Sequence, residues 1–145
     1  MTKSADRPHP TITPCLSYRD APAAIEWLCR AFGFEKRLVV PGAEPGTVVH
    51  AQLVLGHGMV MVSTSPEQAD GRLWQRTPAQ VGGNTATMSV TVADPDAHAQ
   101  RAVAAGATVI APVEDKDYGG RGYGCTDLEG HLWFFGSYDP WAPEA

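Results

Sequence analysis

The sequence predicts an α+β fold: two βαβββ modules in tandem, forming a concave, mostly antiparallel sheet cleft with helices outside. Three observations carry that prediction. Two amphipathic helices each follow a capping Asp, with a Pro just inside the start, and each closes on a glycine. Short alternating strands flank both helices. The order of elements also repeats, with Gly33 and Gly106 at equivalent points 73 residues apart.

In the first module, residues 11–18 (TITPCLSY) read as a strand, and Pro14 suggests an edge position because it has no N–H to give a neighbour. Asp20 then caps a helix that tolerates Pro22 in its first turn. Ile25, Leu28, Cys29 and Phe32 recur at i, i+3, i+4, i+7 and mark one apolar face. Gly33 ends the helix where a left-handed conformation is needed. Strands follow near 34–40, 47–55 and 58–64, the last hairpin turning at "GHG". After a polar connector, 85–93 (TATMSVTVA) alternates as a strand, and a helix capped by Asp94 runs to Gly106. Strands near 107–111, 121–127 and 131–137 complete the second module. The expected organisation is a single domain over 1–145. Module one spans about 11–64, the connector 65–84, module two about 85–139, and the tails 1–10 and 140–145.

Composition narrows the function. With 43% hydrophobic and 19% charged residues, the chain fits an ordinary globular protein. Its apolar runs are too short for a bilayer and its N-terminus has no secretion-signal core, so a cytoplasmic location is expected. A net charge of −5 with scattered Lys and Arg argues against nucleic acid and anionic membranes, and favours neutral or cationic small ligands. The three cysteines, Cys15, Cys29 and Cys125, have no CxxC spacing and read as free thiols, more as small core residues than as nucleophiles.

Four stretches carry a family likeness: "ITPCLSYRDAPAAIEWLCRAFGFE", "VHAQLVLGHGMVMVS", "RAVAAGATVIAPV" and "DLEGHLWFFGSYDP". In that order, across residues 11–139, they resemble the vicinal-oxygen-chelate superfamily: glyoxalase I, extradiol dioxygenases and bleomycin-resistance proteins, here its glyoxalase/bleomycin-resistance-like branch. The resemblance implies a metal held by one side chain from each of four strands. Counting places those positions at Thr13, Met61, Thr87 (or Met88 after a one-residue slip) and Phe134. Hydroxyls, a thioether and a phenyl ring are poor ligands for a hard or borderline divalent ion. The expectation is therefore no metal, no cofactor and no catalytic residue.

What remains is a small-molecule-binding protein similar to the drug-sequestering relatives, with antibiotic resistance as one use. The resemblance also implies a homodimer whose clefts are shared between chains. Trp74, Phe134, Met61 and Tyr123 would supply apolar and stacking surface. Cys15, Ser17, Thr87, His50, Gln52 and Arg121 would supply orienting polar contacts. In "DLEGHLWFFGSY", Phe134 and Leu132 would wall the cleft while His131 and Trp133 turn under the helices. His131 reads as a structural histidine, with ligand or base as the alternative, and His98 falls on the polar side of the second helix. The loop 114–124 reads as a rim over the cleft. Two enzyme readings stay open: a divalent-metal lyase, isomerase or dioxygenase, and a metal-independent enzyme with His50 as base.

Overall fold

The computed structural model describes residues 9–67 and 74–143. The first module contains β1 (Cys15–Tyr18), α1 (Ala21–Phe32), β2 (Glu35–Pro41), β3 (Val48–Leu55) and β4 (Gly58–Thr64). A short α2 (Pro78–Val81) precedes the second, which contains β5 (Thr87–Thr91), α3 (Pro95–Ala104), β6 (Thr108–Asp115), β7 (Arg121–Thr126) and β8 (Leu132–Gly136). Each module builds one four-stranded sheet, in the orders β1-β4-β3-β2 and β5-β8-β7-β6. The two orders are the same arrangement used twice, and only the pairs β1–β4 and β5–β8 are parallel. The α+β class and the tandem modules thus match expectation.

The caps work as the sequence suggests. Asp20 Oδ1 accepts from Ala23 N at 3.1 Å, and Asp94 Oδ1 accepts from Ala97 N at 3.1 Å. Gly33 takes φ +93° and its N–H returns to Cys29 O, a geometry a side chain would strain. Three differences matter for the site. β1 starts only at Cys15, because Pro14 contributes just its carbonyl, to Met61 N at 2.9 Å. β6 runs on to Asp115, so most of the expected rim loop is hairpin, and Lys116 N closes the turn on Gly120 O at 2.8 Å. α2 was not foreseen, although a reciprocal capping box of Thr77 and Gln80 starts it.

Each sheet carries its helix on one face and leaves the other face open. The covered faces present Leu16, Tyr18, Ala51, Leu53, Val60 and Val62 in module one, and Tyr123, Cys125, Trp133 and Phe135 in module two. All belong to one core, in which Phe32 of α1 lies against Trp133 (5.1 Å between ring centres) and Phe135 (4.6 Å). Within one chain, therefore, the modules meet through their helix-covered sides, with α1 on α3, and the two sheets share no edge. The open faces look outward in different directions, so a single chain does not set them against each other.

Polar contacts lock this arrangement. Trp27 Nε1 donates to Ala105 O at 2.6 Å. Arg101 donates from Nε to Arg30 O at the end of α1, and from Nη2 to Cys29 O, which also accepts from Gly33 N. Glu129 accepts from the N–H groups of Arg19 and Asp20 (2.6 and 2.8 Å), clasping the turn between β1 and α1. His98 departs from its expected place on the polar side of the helix. It is half-buried, bonded to Phe32 O (2.9 Å) and Tyr123 Oη (2.6 Å), with its ring 4.1 Å from that of Phe135. The neighbouring module covers the helix face that the sequence leaves polar. No helix among the described residues is long and apolar enough to cross a membrane.

Candidate functional site

Strand alternation decides which side chains reach the open faces. On the first sheet, Cys15, Met61 and Gln52 lie level across β1, β4 and β3, and His50 stands one pleat from Gln52 on the same side. Ser17 shares that side of β1 but is buried, and its carbonyl accepts from His131 Nε2 at 2.9 Å. His131 is thus satisfied by a backbone partner across the module junction.

On the second sheet the open face is built around Phe134. Its ring lies over Gly122 of the neighbouring β7 and Gly136 of its own strand. A Cβ on Gly122 would come within 2.5 Å of Phe134 Cζ, and one on Gly136 within 3.0 Å of Cε2. Gly124 lies level with Phe134 and Gly122 with Gly136, so a glycine stripe makes room for an aromatic shelf. Lys116 Nζ stands over the ring, 5.4 Å from its centre, and is bonded to Glu114 at 3.1 Å. Tyr118 and Tyr138 meet edge to face at 5.2 Å beside it. Ser89, Tyr118, Phe134, Gly136, Tyr138 and Pro140 border a cavity of about 230 Å³. That is smaller than the roughly 300–1,000 Å³ of most small-molecule pockets, and it is walled by one sheet only.

The positions that the family resemblance assigns to a metal can be checked against the register. Cys15, not Thr13, lies level with Met61, and Ser89, not Thr87, lies level with Phe134. Moving each position by one pleat replaces two threonines with a thiol and a hydroxyl, beside a thioether and a phenyl ring. Neither set fits a divalent ion of the usual kind. Among the described residues, no three His, Cys, Asp or Glu side chains stand together as a metal-holding group.

Three predicted residues are placed elsewhere. Tyr123 is fully buried on the helix-covered face, and burial raises its phenol well above the ordinary range. It cannot line the open face, because Gly122 and Gly124 occupy that side of β7. Arg121 turns toward α3 and pairs with Asp96 (3.0 Å) and Asp115 (2.9 Å), which hold its guanidinium firmly charged. Trp74 is 77% exposed on the segment between β4 and α2, off both sheets. Thr87 is exposed at the start of β5 on the open side, level with Leu132. Burial pushes the Cys125 thiol up to about 12 and raises that of Cys29, so neither is a ready nucleophile. Cys15, by contrast, is exposed and is no core residue. Sequence reasoning missed Tyr118, Tyr138, Lys116 and the supporting glycines. The alternation of glycine with Arg121, Tyr123 and Cys125 along β7 was the available signal.

Comparison with known proteins agrees with this fold. Residues 9–135 match the profile of the Glyoxalase/Bleomycin resistance protein/Dioxygenase superfamily. An uncharacterised protein of Mycobacterium tuberculosis is 37% identical over 128 residues, covering 88% of this chain and 74% of its own. The crystal structure of TioX from Micromonospora sp. ML1 is 38% identical and covers 86% of this chain and 95% of its own, with a TM-score of 0.68. A variant of the fosfomycin resistance protein FosX from Listeria monocytogenes, complexed with Mn(II) and a dihydroxypropylphosphonic acid, has a TM-score of 0.59. It covers 88% of this chain and 89% of its own, and at 15% identity it shows the fold alone.

Proposed function

Since the chain belongs to the Glyoxalase/Bleomycin resistance protein/Dioxygenase superfamily, we propose that it binds a small planar organic molecule without a metal ion. The carrying observation is the Phe134 ring, whose Cζ and Cε2 atoms pack over Gly122 and Gly136, at a position the family resemblance gives to a metal ligand. A shelf of this kind suits stacking, worth about 0.5–1.5 kcal/mol per aromatic pair beyond buried area. Lys116 and Arg121 are already paired with carboxylates, and the chain carries a net charge of −5, which favours a neutral or cationic ligand. Sequestration of a planar antibiotic is one use of such a site.

The site is completed by a second copy of the chain. In the proposed homodimer, the open face of the first sheet of one protomer faces the open face of the second sheet of its partner. Cys15, His50, Gln52 and Met61 then look across at Phe134 and Thr87, with Ser17 buried beneath them. The undersized cavity supports this, as do exposed Leu38, Val40, Val49, Ile110 and Trp141, the last 93% exposed. Sedimentation equilibrium is expected to give twice the chain mass, and a monomer at micromolar concentration would remove the composite cleft.

Calorimetric titration against planar heteroaromatic antibiotics, with elemental analysis after exposure to Ni, Zn, Mn and Fe(II), tests the reading. Binding with little retained metal supports it. Retention of one equivalent would return the divalent-metal enzyme to first place. Gly122→Ala is expected to lift the Phe134 ring, costing about 1–3 kcal/mol of stability through overpacking. Loss of the shelf is expected to weaken ligand binding by about tenfold or more. Unchanged affinity would remove Phe134 from the site.

A further inference from the structure

A directed chain of hydrogen bonds crosses the open face of the first sheet. Arg37 sits at the irregularity in β2 between Lys36 and Leu38, and its Nη1 donates to Gln52 Oε1 at 2.7 Å. A guanidinium only donates, so the amide oxygen must be the Gln52 atom that faces it. The amide nitrogen is thereby turned to His50, 3.0 Å from Nε2. That nitrogen also only donates, so Nε2 must hold a lone pair, and the single proton of the neutral ring sits on Nδ1. Among the described residues nothing bonds Nδ1, and its neighbour across β2 is the apolar Val40.

We infer that Arg37 and Gln52 fix His50 as a hydrogen-bond donor at Nδ1, making it the residue that selects ligands carrying an acceptor there. A carbonyl, carboxylate or ring-nitrogen lone pair satisfies Nδ1–H. A group that only donates, such as an ammonium or amide N–H, does not, and leaves two donors facing each other. The same polarity closes the route in which neutral His50 takes a proton: Nε2 is engaged by Gln52, and Nδ1 has no lone pair to give. Arg37 is a positioning residue that acts through Gln52. The ligand preference rests on the reading of the open face as a binding surface, whereas the tautomer stands on the relay alone.

Long-range ¹H–¹⁵N correlation spectra of protein labelled in its imidazole rings read the tautomer directly. They are to be recorded at about pH 8, where an ordinary histidine (pKa about 6.5) is neutral. His50→Gln identifies the signals by their loss. The wild type is expected to show His50 with Nε2 unprotonated and Nδ1 protonated. Gln52→Glu replaces the amide with a carboxylate that accepts from both Arg37 and the ring, so the pattern is expected to invert to Nε2–H. Gln52→Leu, which removes both contacts, is expected to lose the fixed Nδ1–H pattern. A wild-type ring protonated on Nε2 would overturn the relay, and an unchanged pattern in both variants would overturn the role of Gln52. If the tautomer is as expected but no planar compound binds, the relay stands and the proposed function fails.

Discussion

Replacing Asp127 with Ala is expected to lower the unfolding free energy by about 3–5 kcal/mol, the less than additive cost of leaving several buried donors without their acceptor. Asp127 is buried where the two modules meet, and every lone-pair direction of its carboxylate is used. Oδ2 accepts from Tyr18 Oη at 2.6 Å and from Trp133 Nε1 at 3.0 Å. Oδ1 accepts from the N–H groups of Glu129 and His131 at 3.0 and 3.1 Å. The first pair ties β1 to β8, and the second shapes the turn whose Glu129 clasps the start of α1. Alanine strands four donors, two of them on the largest side chains of the core, and each buried unpaired donor costs about 1–3 kcal/mol, not fully additively.

Asp127→Asn separates charge from geometry. An amide nitrogen at the Oδ1 position would face two backbone N–H groups, which cannot turn away. At the Oδ2 position it faces Tyr18, whose hydroxyl can rotate and accept, and Trp133, whose Nε1 only donates. One indole N–H is then stranded, at about 1–3 kcal/mol. Tyr18→Phe removes a single contact and is expected to cost about 0.5–1.5 kcal/mol. Burial, and then the Asp127 charge beside it, push the Tyr18 phenol well above its ordinary range, so that hydroxyl stays a donor throughout the working pH range. Urea denaturation of the three variants gives the ranking. A midpoint for Asp127→Ala equal to wild type would mean that the modules are not held together here.

The elements were legible because their signals are local. Asp20 and Asp94 announce helix starts, Gly33 a helix end, and the alternation of Leu16, Tyr18, Leu53, Val60 and Val62 a covered sheet face. What stayed hidden depends on contacts between modules. His98 looks polar on a helical wheel, yet Phe32 arrives from 66 residues away to cover it. Tyr123 was a plausible cleft residue until the register placed glycines on the open side of β7. Phe134 was placed in the site by likeness to the family, but its seating over Gly122 of the paired strand is a fact that a single strand does not carry. Half the shelf, Tyr118 and Tyr138, comes from a turn and a tail that converge only after β6, β7 and β8 have paired.

Stability is expected to fall as the pH drops below about 6.5, the unfolded pKa of histidine, and His98 is expected to account for most of that fall. Its ring lies between Phe32 and Phe135, with centres at 6.0 and 4.1 Å. Partial burial lowers its pKa in the folded chain; the bond to Phe32 O opposes the shift, and the charge of Arg101 adds to it. The unfolded chain therefore takes up a proton at a higher pH than the folded one. The contribution of neutral His98 is fully present above about 6.5 and is lost as the pH falls toward the lower folded value. Asp96 titrates in a separate window. Its bond to Arg121 lowers its pKa, so its contribution persists until the pH falls below the ordinary carboxylate range of about 4. His98→Ala is expected to cost about 2–4 kcal/mol at neutral pH, through a cavity beside Phe135 and an unsatisfied Phe32 carbonyl at the end of α1. The same variant is expected to flatten the dependence between about pH 7 and 5. Denaturation midpoints for both proteins across that interval decide the matter. An equally steep fall in the variant would place the titrating group elsewhere. A flattened profile would mean that a histidine from α3, capping a helix of the other module, ties the union of the modules to proton concentration.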